Sequence, residues 1–272
     1  MSILAIIYGL LALVFGLVFL IDCIRLRKQI NAYVKYGITL GIILILLDVA
    51  VALLVPNFFT IVPVYMLVVR DVIALVDITI STCMGMYCCA VLGIHDIPLV
   101  RSLWRQSSAE EKIINRRWVG VGALTVLLGV AYSVMVFKAT SPQIAPLLKE
   151  LSEIQAARLG IGPEPSLMVV LVVVQFAFAE EVVFRLAVQN YLARRFKWQD
   201  RKYWIAVLFT SLFWSLAHAN ILDPEWVKIV QVFPLGIALG FLFRRYGAET
   251  CILVHGLFNI IVVFLKPLLL EG

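Results

Sequence analysis

The apolar positions of this chain fall into long continuous runs, separated by shorter polar and basic segments. A membrane-spanning helix needs about 20 mostly apolar residues, and about eight runs reach or approach that length. They predict an all-α, polytopic membrane protein of about eight transmembrane helices with a conical or bundle-like intramembrane cavity. The predicted spans are residues 2–21, 36–55, 72–94, 118–137, 166–190, 204–221, 227–243 and 250–268.

The chain shows no internal repeat and no linker rich in Gly, Ser or Pro, so residues 1–272 are predicted to form a single integral membrane domain. The first run is too long for a signal-peptide core. Arg25, Arg27 and Lys28 follow it instead of a small-residue cleavage site, so we expect it to be retained as a span.

Composition supports a membrane protein and excludes an ordinary soluble domain. Of the 272 residues 62% are hydrophobic and 15% charged, whereas soluble domains average about 45–50% and about 25%. The mean hydropathy is +1.00. The five cysteines lie in or beside apolar runs without zinc-type spacing, which argues against a disulfide framework or a cysteine metal site.

The placement of cations predicts the orientation of the spans, because cytosolic loops are enriched in Lys and Arg. The connections after the first, third, fifth and seventh predicted spans hold sixteen of the 23 Lys and Arg residues. We therefore expect an even number of spans, both termini outside and the basic loops in the cytosol. The basic residues in question are Arg25, Arg27, Lys28, Lys35, Arg101, Arg105, Lys112, Arg116, Arg117, Arg194, Arg195, Lys197, Arg201, Lys202, Arg244 and Arg245.

The segment 95–117 mixes apolar residues such as Leu103 and Trp104 with cations. It is either an amphipathic helix on the cytosolic headgroups or a solvated loop. The basic charge of this segment would favour contact with anionic lipid, and binding of nucleic acid is not needed to explain it.

The fifth run contains two adjacent carboxylates in an otherwise apolar sequence, which is costly inside a bilayer. Arg185 follows Glu181 by four residues and therefore lies on the same helix face, whereas Glu180 points about 100° away. Glu181 is expected to pair with Arg185 and to leave Glu180 available. A buried ion pair that fixes helix register would explain Glu181 and Arg185 but not Glu180.

Two later spans also carry polar residues within apolar surroundings. His218 lies deep in the sixth run, four residues after Trp214, and His255 and Asn259 share one face of the eighth. Each of these could simply be an interhelical hydrogen-bonding residue. The Gly236 and Gly240 pair in the seventh run is typical of close helix packing.

These polar residues are expected at a similar depth in the membrane and therefore form one polar layer. Glu180 and His218 should lie about 20 Å from the cytosolic ends of their spans, and His255 and Asn259 about 10–16 Å from theirs. A carboxylate, two imidazoles and a carboxamide suit hydrolysis, since they can activate water and stabilise an oxyanion. The same Glu and His residues could instead hold zinc.

At these residues the sequence resembles the CAAX prenyl endopeptidase and abortive-infection (CPBP) intramembrane protease family. The family's motifs run Glu-Glu-x-x-x-Arg, aromatic-x-x-x-His and His-x-x-x-Asn, which correspond here to 180–185, 214–218 and 255–259. The resemblance covers about residues 166–262. One departure is Trp214, because the second motif usually begins with Phe, and this affects the expected substrate preference more than the chemistry.

The resemblance implies a helical intramembrane protease that cleaves prenylated or related membrane-associated proteins from a site open to the cytosol. It assigns water activation to Glu180 and His218, the oxyanion hole to His255 and Asn259, and support to Glu181 and Arg185. It implies glutamate chemistry without a required cofactor, and zinc stays open. The membrane would be the cell membrane in a prokaryote and the endoplasmic reticulum in a eukaryote.

Two other functions compete with the protease. One is a catalytically idle scaffold or bacteriocin-immunity-type protein, which would not need all four site residues. The other is a proton-coupled transporter, for which inverted repeats or broken helices are expected but not seen. Asp48 and Asp77, isolated acids in the second and third spans, have no evident partner in the sequence and are left out of the catalytic set.

Overall fold

The computed structural model describes residues 3–54, 64–98, 100, 109–146, 149, 150, 153 and 167–270. The described part is helical, apart from one pair of two-residue strands. The helices are α1 (Ile3–Arg25), α2 (Arg27–Ile30), α3 (Val34–Leu54), α4 (Val64–Leu92), α5 (Ala109–Thr140), α6 (Leu167–Glu180), α7 (Asn190–Arg195), α8 (Tyr203–Leu216), α9 (Glu225–Tyr246) and α10 (Ala248–Leu270). The strands are β1 (Gln143–Ile144) and β2 (Leu222–Asp223), a π-helical segment covers Glu181–Gln189, and 3₁₀ turns cover Asn31–Tyr33 and Asp200–Lys202.

Seven helices among the described residues are long and apolar enough to cross a membrane. This confirms the predicted all-α polytopic membrane protein, because helices satisfy their backbone polar groups internally in lipid. α1 shows how the apolar surface is placed: Leu10, Leu13 and Leu17 are 55–60% exposed, as expected for a face that contacts lipid tails.

The predicted sixth span, 204–221, is shorter than the others. It corresponds to α8, whose 14 residues extend only about 21 Å against the roughly 30 Å of a bilayer core. The helix ends because the chain tightens into turns at His218 and Ala219, whose amides bond to carbonyls three residues earlier. The chain then enters β2, which pairs antiparallel with β1, Ile144 opposite Leu222.

The two ends of the helix bundle differ in charge. The ends of α1, α7 and α9 and the beginning of α8 lie at what we call the basic end, where Arg195 pairs with Asp22 at 3.6 Å and Arg244 donates to the Asp200 carbonyl at 3.0 Å. The β1–β2 pair and the first turn of α9 lie at the opposite end. Leu103 and Trp104 of the predicted amphipathic segment lie outside the described residues.

The hydrophobic core lies between α3, α4, the π-helical segment, α9 and α10. Leu40, Ile78, Val182, Leu239 and Phe258 represent these elements in it, each no more than 2% exposed. The five cysteines are all free and buried. A cavity of about 740 Å³ lies at the basic end, between α4, α8 and α9.

Asp48 has partners that the sequence did not reveal. Arg70 of α4 hydrogen-bonds its carboxylate, and Gln175 of α6 donates to it at 2.7 Å. Asp48 of α3 is therefore linked to α4 by an ion pair and to α6 by a hydrogen bond. These contacts explain how the acid is tolerated in the span.

Candidate active site

The carboxylates Glu180 and Glu181 lie where α6 changes from α-helical to π-helical geometry. π-Helical turns inside α-helices are rare and often occur at functional sites. Asn190 closes the irregular segment, because its side-chain amide donates to the carbonyls of Arg185 and Leu186 at 2.9 and 2.8 Å. No pattern in the sequence predicted this distortion.

Glu181 is held from two sides and is fully buried. Its Oε1 accepts a hydrogen bond from Nδ1 of His255 at 2.9 Å, and its Oε2 lies 3.5 Å from Nε of Arg185. The side chains of Glu181 and Arg185 are both 0% exposed. The ion pair predicted from the i, i+4 spacing is therefore present.

Arg185 is neutralised without making hydrogen bonds of its own. Its guanidinium carbon lies 4.9 Å from the Trp214 ring, within cation–π distance. None of its three side-chain nitrogens has a hydrogen-bond partner among the described residues. Its charge thus depends on Glu181 and on the indole face.

Glu180 is the available carboxylate of the pair. Its side chain is 26% exposed, and its Oε2 lies 4.0 Å from Nε2 of His255. The Trp214 indole N–H donates to the same oxygen at 2.6 Å. Trp214 therefore does more than supply aromatic bulk, because a Phe at this position could not make that bond.

His218 follows the end of α8 and is partly buried beside Trp214. Its Nδ1 lies 2.9 Å from the Trp214 carbonyl oxygen, which can only accept. Nδ1 must therefore carry the proton, and Nε2 of a neutral His218 is left with a free lone pair. The ring packs edge-on against the Trp214 indole, with centroids 4.9 Å apart.

His255 and Asn259 lie one helical turn apart on α10, as predicted. The His255 ring is perpendicular to the Trp214 indole, with centroids 5.3 Å apart. Trp214 thus contacts both histidines and Glu180. Asn259 is partly buried, and its side chain forms no hydrogen bond with another described residue.

Lys228 was not singled out in the sequence, although a lysine near the start of an apolar helix is a signal. Its ammonium interacts electrostatically with Glu180 and His218. It donates to Oε1 of Gln231 at 2.9 Å, and Gln231 in turn donates to the Ser133 hydroxyl at 3.1 Å. This chain of hydrogen bonds fixes a cation beside the polar layer.

A second polar network lies on the basic-end side of the layer. Gln189 donates to the Tyr203 hydroxyl at 2.8 Å, and that hydroxyl donates to Asn190 at 2.8 Å. All three residues are at most 1% exposed. The end of the π-helical segment is therefore tied to the beginning of α8.

Two glycines allow the close packing around the site. A Cβ on Gly85 of α4 would lie 2.5 Å from the Leu186 carbonyl oxygen of the π-helical segment. A Cβ on Gly236 would lie 3.1 Å from the Trp214 ring. Gly236 was predicted as a packing residue, whereas Gly85 was not.

The zinc alternative has no preformed ligand set in this structure. Among the residues that the structure describes, no three His, Cys, Asp or Glu side chains are grouped closely enough to hold a metal ion. One nitrogen of each histidine is already hydrogen-bonded: Nδ1 of His255 to Glu181, and Nδ1 of His218 to the Trp214 carbonyl.

Comparison with known proteins supports the resemblance seen in the motifs. Residues 162–261 match the family described as type II CAAX prenyl endopeptidase Rce1-like. The sporulation-killing factor biosynthesis protein SkfC of Bacillus subtilis (strain 168) is 25% identical over 154 residues, which are 56% of this chain and 29% of that relative. The chain thus matches less than a third of the relative's length, and no solved structure matches it.

The matched region contains all three motifs, from Glu180 to Asn259. The resemblance predicted from the sequence is confirmed for this region, which matches the Rce1-like family model. Together with the seven candidate spans, the match supports an integral membrane protein that resembles intramembrane proteases over this region.

Proposed function

We propose that this chain is an intramembrane endopeptidase that hydrolyses a peptide bond near the C-terminus of a prenylated or related membrane-associated protein. One observation carries the proposal. A partly exposed carboxylate, Glu180, lies 4.0 Å from the imidazole of His255, whose other nitrogen is fixed by the buried Glu181. An oriented imidazole beside a partly exposed carboxylate is what water-dependent acyl transfer requires.

In the proposed reaction, a water molecule binds between Glu180 and His218. Glu180 accepts a proton from this water as its oxygen attacks the scissile carbonyl carbon, and Nε2 of His218 orients it. The C–N bond of the tetrahedral intermediate then breaks, and the proton held by Glu180 passes to the leaving amine. Glu180 thus acts first as the base and then as the acid.

The developing oxyanion would be bound by Nε2–H of His255 and the Asn259 carboxamide. For Nε2 to donate, His255 must be protonated on both nitrogens, and the Glu181 carboxylate at Nδ1 supplies the counter-charge for that form. Donors preorganised at an oxyanion are among the largest contributions to catalysis. Arg185 pairs with Glu181 and holds it in position.

Lys228 would set where the peptide is cut. Cleavage near a C-terminus brings a carboxylate into an apolar environment, which is costly unless it is paired. Lys228 is the cation beside Glu180 and His218, and Gln231 restrains it at 2.9 Å. Its ammonium would bind the terminal carboxylate a few residues from the scissile bond.

The membrane would be the cell membrane of a prokaryote or the endoplasmic reticulum of a eukaryote, and the resemblance implies a site open to the cytosol. The relative SkfC is named for the biosynthesis of a sporulation-killing factor. By that likeness, a membrane-associated precursor is the substrate class to test beside prenylated proteins. The catalytically idle scaffold stays the competing function.

The test is cleavage by the purified protein in lipid vesicles, with a farnesylated CAAX peptide and its unprenylated twin. Wild type is compared with Glu180→Gln and with Asp77→Asn, a control that removes a carboxylate of α4 outside the catalytic set. We expect cleavage by wild type and the control and a loss of at least about 100-fold in Glu180→Gln. Full activity of Glu180→Gln would disprove the proposed base.

A further inference from the structure

The cavity at the basic end contains none of the candidate catalytic residues in its wall. Its volume of about 740 Å³ lies within the range of small-molecule sites. Trp204 and Phe241 form an aromatic part of the wall, whereas Asp200, Arg244 and Arg245 bring charges of both signs to it. A ligand that fits this cavity must therefore have an apolar part and a charged part.

Arg244 is held in the wall of the cavity by the segment that leads into α8. Its Nη1 donates to the Asp200 carbonyl oxygen at 3.0 Å, and its guanidinium carbon lies 4.9 Å from the centre of the Tyr203 ring. Tyr203 is 1% exposed and is fixed by hydrogen bonds with Gln189 and Asn190. The bond to Asp200 uses one of the five N–H donors of a guanidinium. The other donors can bind an anion, and guanidinium groups bind phosphate particularly well.

Asp200 and Arg245 bring opposite charges to the cavity without neutralising each other. Both are exposed, and neither side chain forms an ion pair or hydrogen bond with another residue that the structure describes. Asp200 has a left-handed backbone with φ of 48°, a conformation that Asp and Asn adopt more readily than most residues. Its carboxylate would repel a second negative group on a ligand and would bind a positive one. Two guanidiniums and one carboxylate thus match a ligand that carries both a phosphate and an ammonium group.

The aromatic part of the wall continues into an exposed apolar surface on α8. The rings of Trp204 and Phe241 stack with centroids 5.8 Å apart, and the two side chains are 41% and 42% exposed. Leu208 and Leu212 follow Trp204 at intervals of four residues and are 46% and 45% exposed. Residues with this spacing share one helix face, which we call the apolar strip. Because α8 begins at the basic end, the strip runs from the cavity toward the middle of the bilayer.

The level of the cavity in the membrane is that of the lipid headgroups. Tryptophan side chains are enriched at the boundary between lipid and water, and basic pockets between helices favour lipid phosphates. A lipid bound there could place its headgroup in the cavity and its acyl chains along the apolar strip.

We propose that this cavity binds the headgroup of phosphatidylethanolamine. The phosphate binds Arg244 and Arg245, and the ammonium group binds the Asp200 carboxylate. The glycerol and the first acyl carbons lie against Trp204 and Phe241. Phosphatidylcholine has no N–H donor for the carboxylate, and phosphatidylglycerol has no positive group. Soluble phosphoethanolamine has both charges but no part that contacts the aromatic wall or the apolar strip.

The test is lipid binding by the full chain, purified in detergent and titrated separately with short-chain phosphatidylethanolamine, phosphatidylglycerol and phosphoethanolamine. Native mass spectrometry gives the apparent Kd for each. We expect phosphatidylethanolamine to bind at least about threefold more tightly than phosphatidylglycerol, the effect of one exposed ion pair. Phosphoethanolamine should bind about tenfold or more weakly than the lipid, because it buries no acyl carbons. Equal affinity for either pair of ligands would overturn the proposal.

Three variants of exposed residues assign the charges. Arg245→Gln removes a partner of the phosphate and should weaken the binding of both lipids about fivefold. Asp200→Asn suits the same left-handed backbone but removes the partner of the ammonium group. It should weaken phosphatidylethanolamine binding about threefold without weakening phosphatidylglycerol binding, so that the preference disappears. Lys28→Gln, a control that removes an exposed cation outside the cavity, should change neither.

Two results of the variant experiment would contradict the proposed site. An unchanged preference in Asp200→Asn would show that this carboxylate does not bind the ammonium group. Equal losses in Arg245→Gln and Lys28→Gln would show that lipids respond to the total charge of the basic end rather than to the cavity. The titrations contain no peptide, so their result does not depend on whether the chain is a protease.

Discussion

Trp214 donates its indole N–H to the carboxylate of Glu180 at 2.6 Å, while its ring face covers the guanidinium of Arg185. The same indole contacts both histidines edge-on. One side chain therefore positions the proposed base and shields the ion pair behind it. The aromatic residue usual at this motif position, Phe, could provide the shielding but not the hydrogen bond.

Replacing Trp214 with Phe separates these two roles. We expect Trp214→Phe to fold and to lower kcat about tenfold or more with KM little changed, because a hydrogen bond to a charged group contributes about 1.5–3 kcal/mol. Single-turnover cleavage and the thermal midpoint are measured together. A large fall in the midpoint with a normal kcat would show that Trp214 only packs.

The pair Glu181 and Arg185 predicts a non-additive effect on stability. Arg185→Met leaves a buried carboxylate without its counter-charge, which costs about 3–5 kcal/mol. We expect the double variant Glu181→Gln with Arg185→Met to be more stable than Arg185→Met alone, since both charges are then gone. Activity should stay lost in the double variant, because His255 no longer has a carboxylate at Nδ1.

Unfolding midpoints of the wild type, both single variants and the double variant complete the thermodynamic cycle. Additive losses would show that the two side chains do not depend on each other. That outcome would also remove the reason for assigning Glu181 a supporting role.

Much of this site could be predicted from periodicity, because helix geometry fixes which residues share a face. The i, i+4 spacing of Glu181 and Arg185 and that of His255 and Asn259 led directly to the observed placement. Counting residues from the span ends also put Glu180 and His218 at similar depth. Such local rules hold wherever the backbone remains helical.

The remaining features depend on contacts between helices, which one sequence does not show. The π-helical turn at 181–189 is stabilised by Asn190, a residue with no distinctive spacing. The predicted span 204–221 ends early because the turn at His218 interrupts it, although its composition is apolar throughout. The Arg70 partner of Asp48 is 22 positions away in sequence, on another helix.

Gly85 should be intolerant of a side chain for a reason found only in the tertiary structure. A methyl group there would meet the Leu186 carbonyl at 2.5 Å, so α4 and the π-helical segment would have to separate. We expect Gly85→Ala to cost about 1–3 kcal/mol and to reduce cleavage as well. Gly16→Ala, at a position with nothing within 4 Å, is the matched control and should match wild type in both assays.

Metal removal distinguishes the glutamate mechanism from the zinc alternative. The proposed chemistry needs only Glu180, His218, His255 and Asn259, so prolonged dialysis against 1,10-phenanthroline should leave kcat within about twofold of the untreated protein. Metal content is measured on the same samples. Loss of activity with loss of zinc, and its return on adding zinc, would assign Glu180 and the histidines to a metal instead.

The last prediction concerns Lys228 and the position at which the substrate is cut. If its ammonium binds the terminal carboxylate, Lys228→Met should raise KM about tenfold for a peptide acid, the usual effect of losing a charged hydrogen bond. The corresponding peptide amide has no terminal carboxylate, so its KM should already be high for wild type and should not rise further in the variant. Equal losses on acid and amide would show that Lys228 acts on Glu180 and His218 rather than on the substrate, because that effect does not depend on the peptide's end.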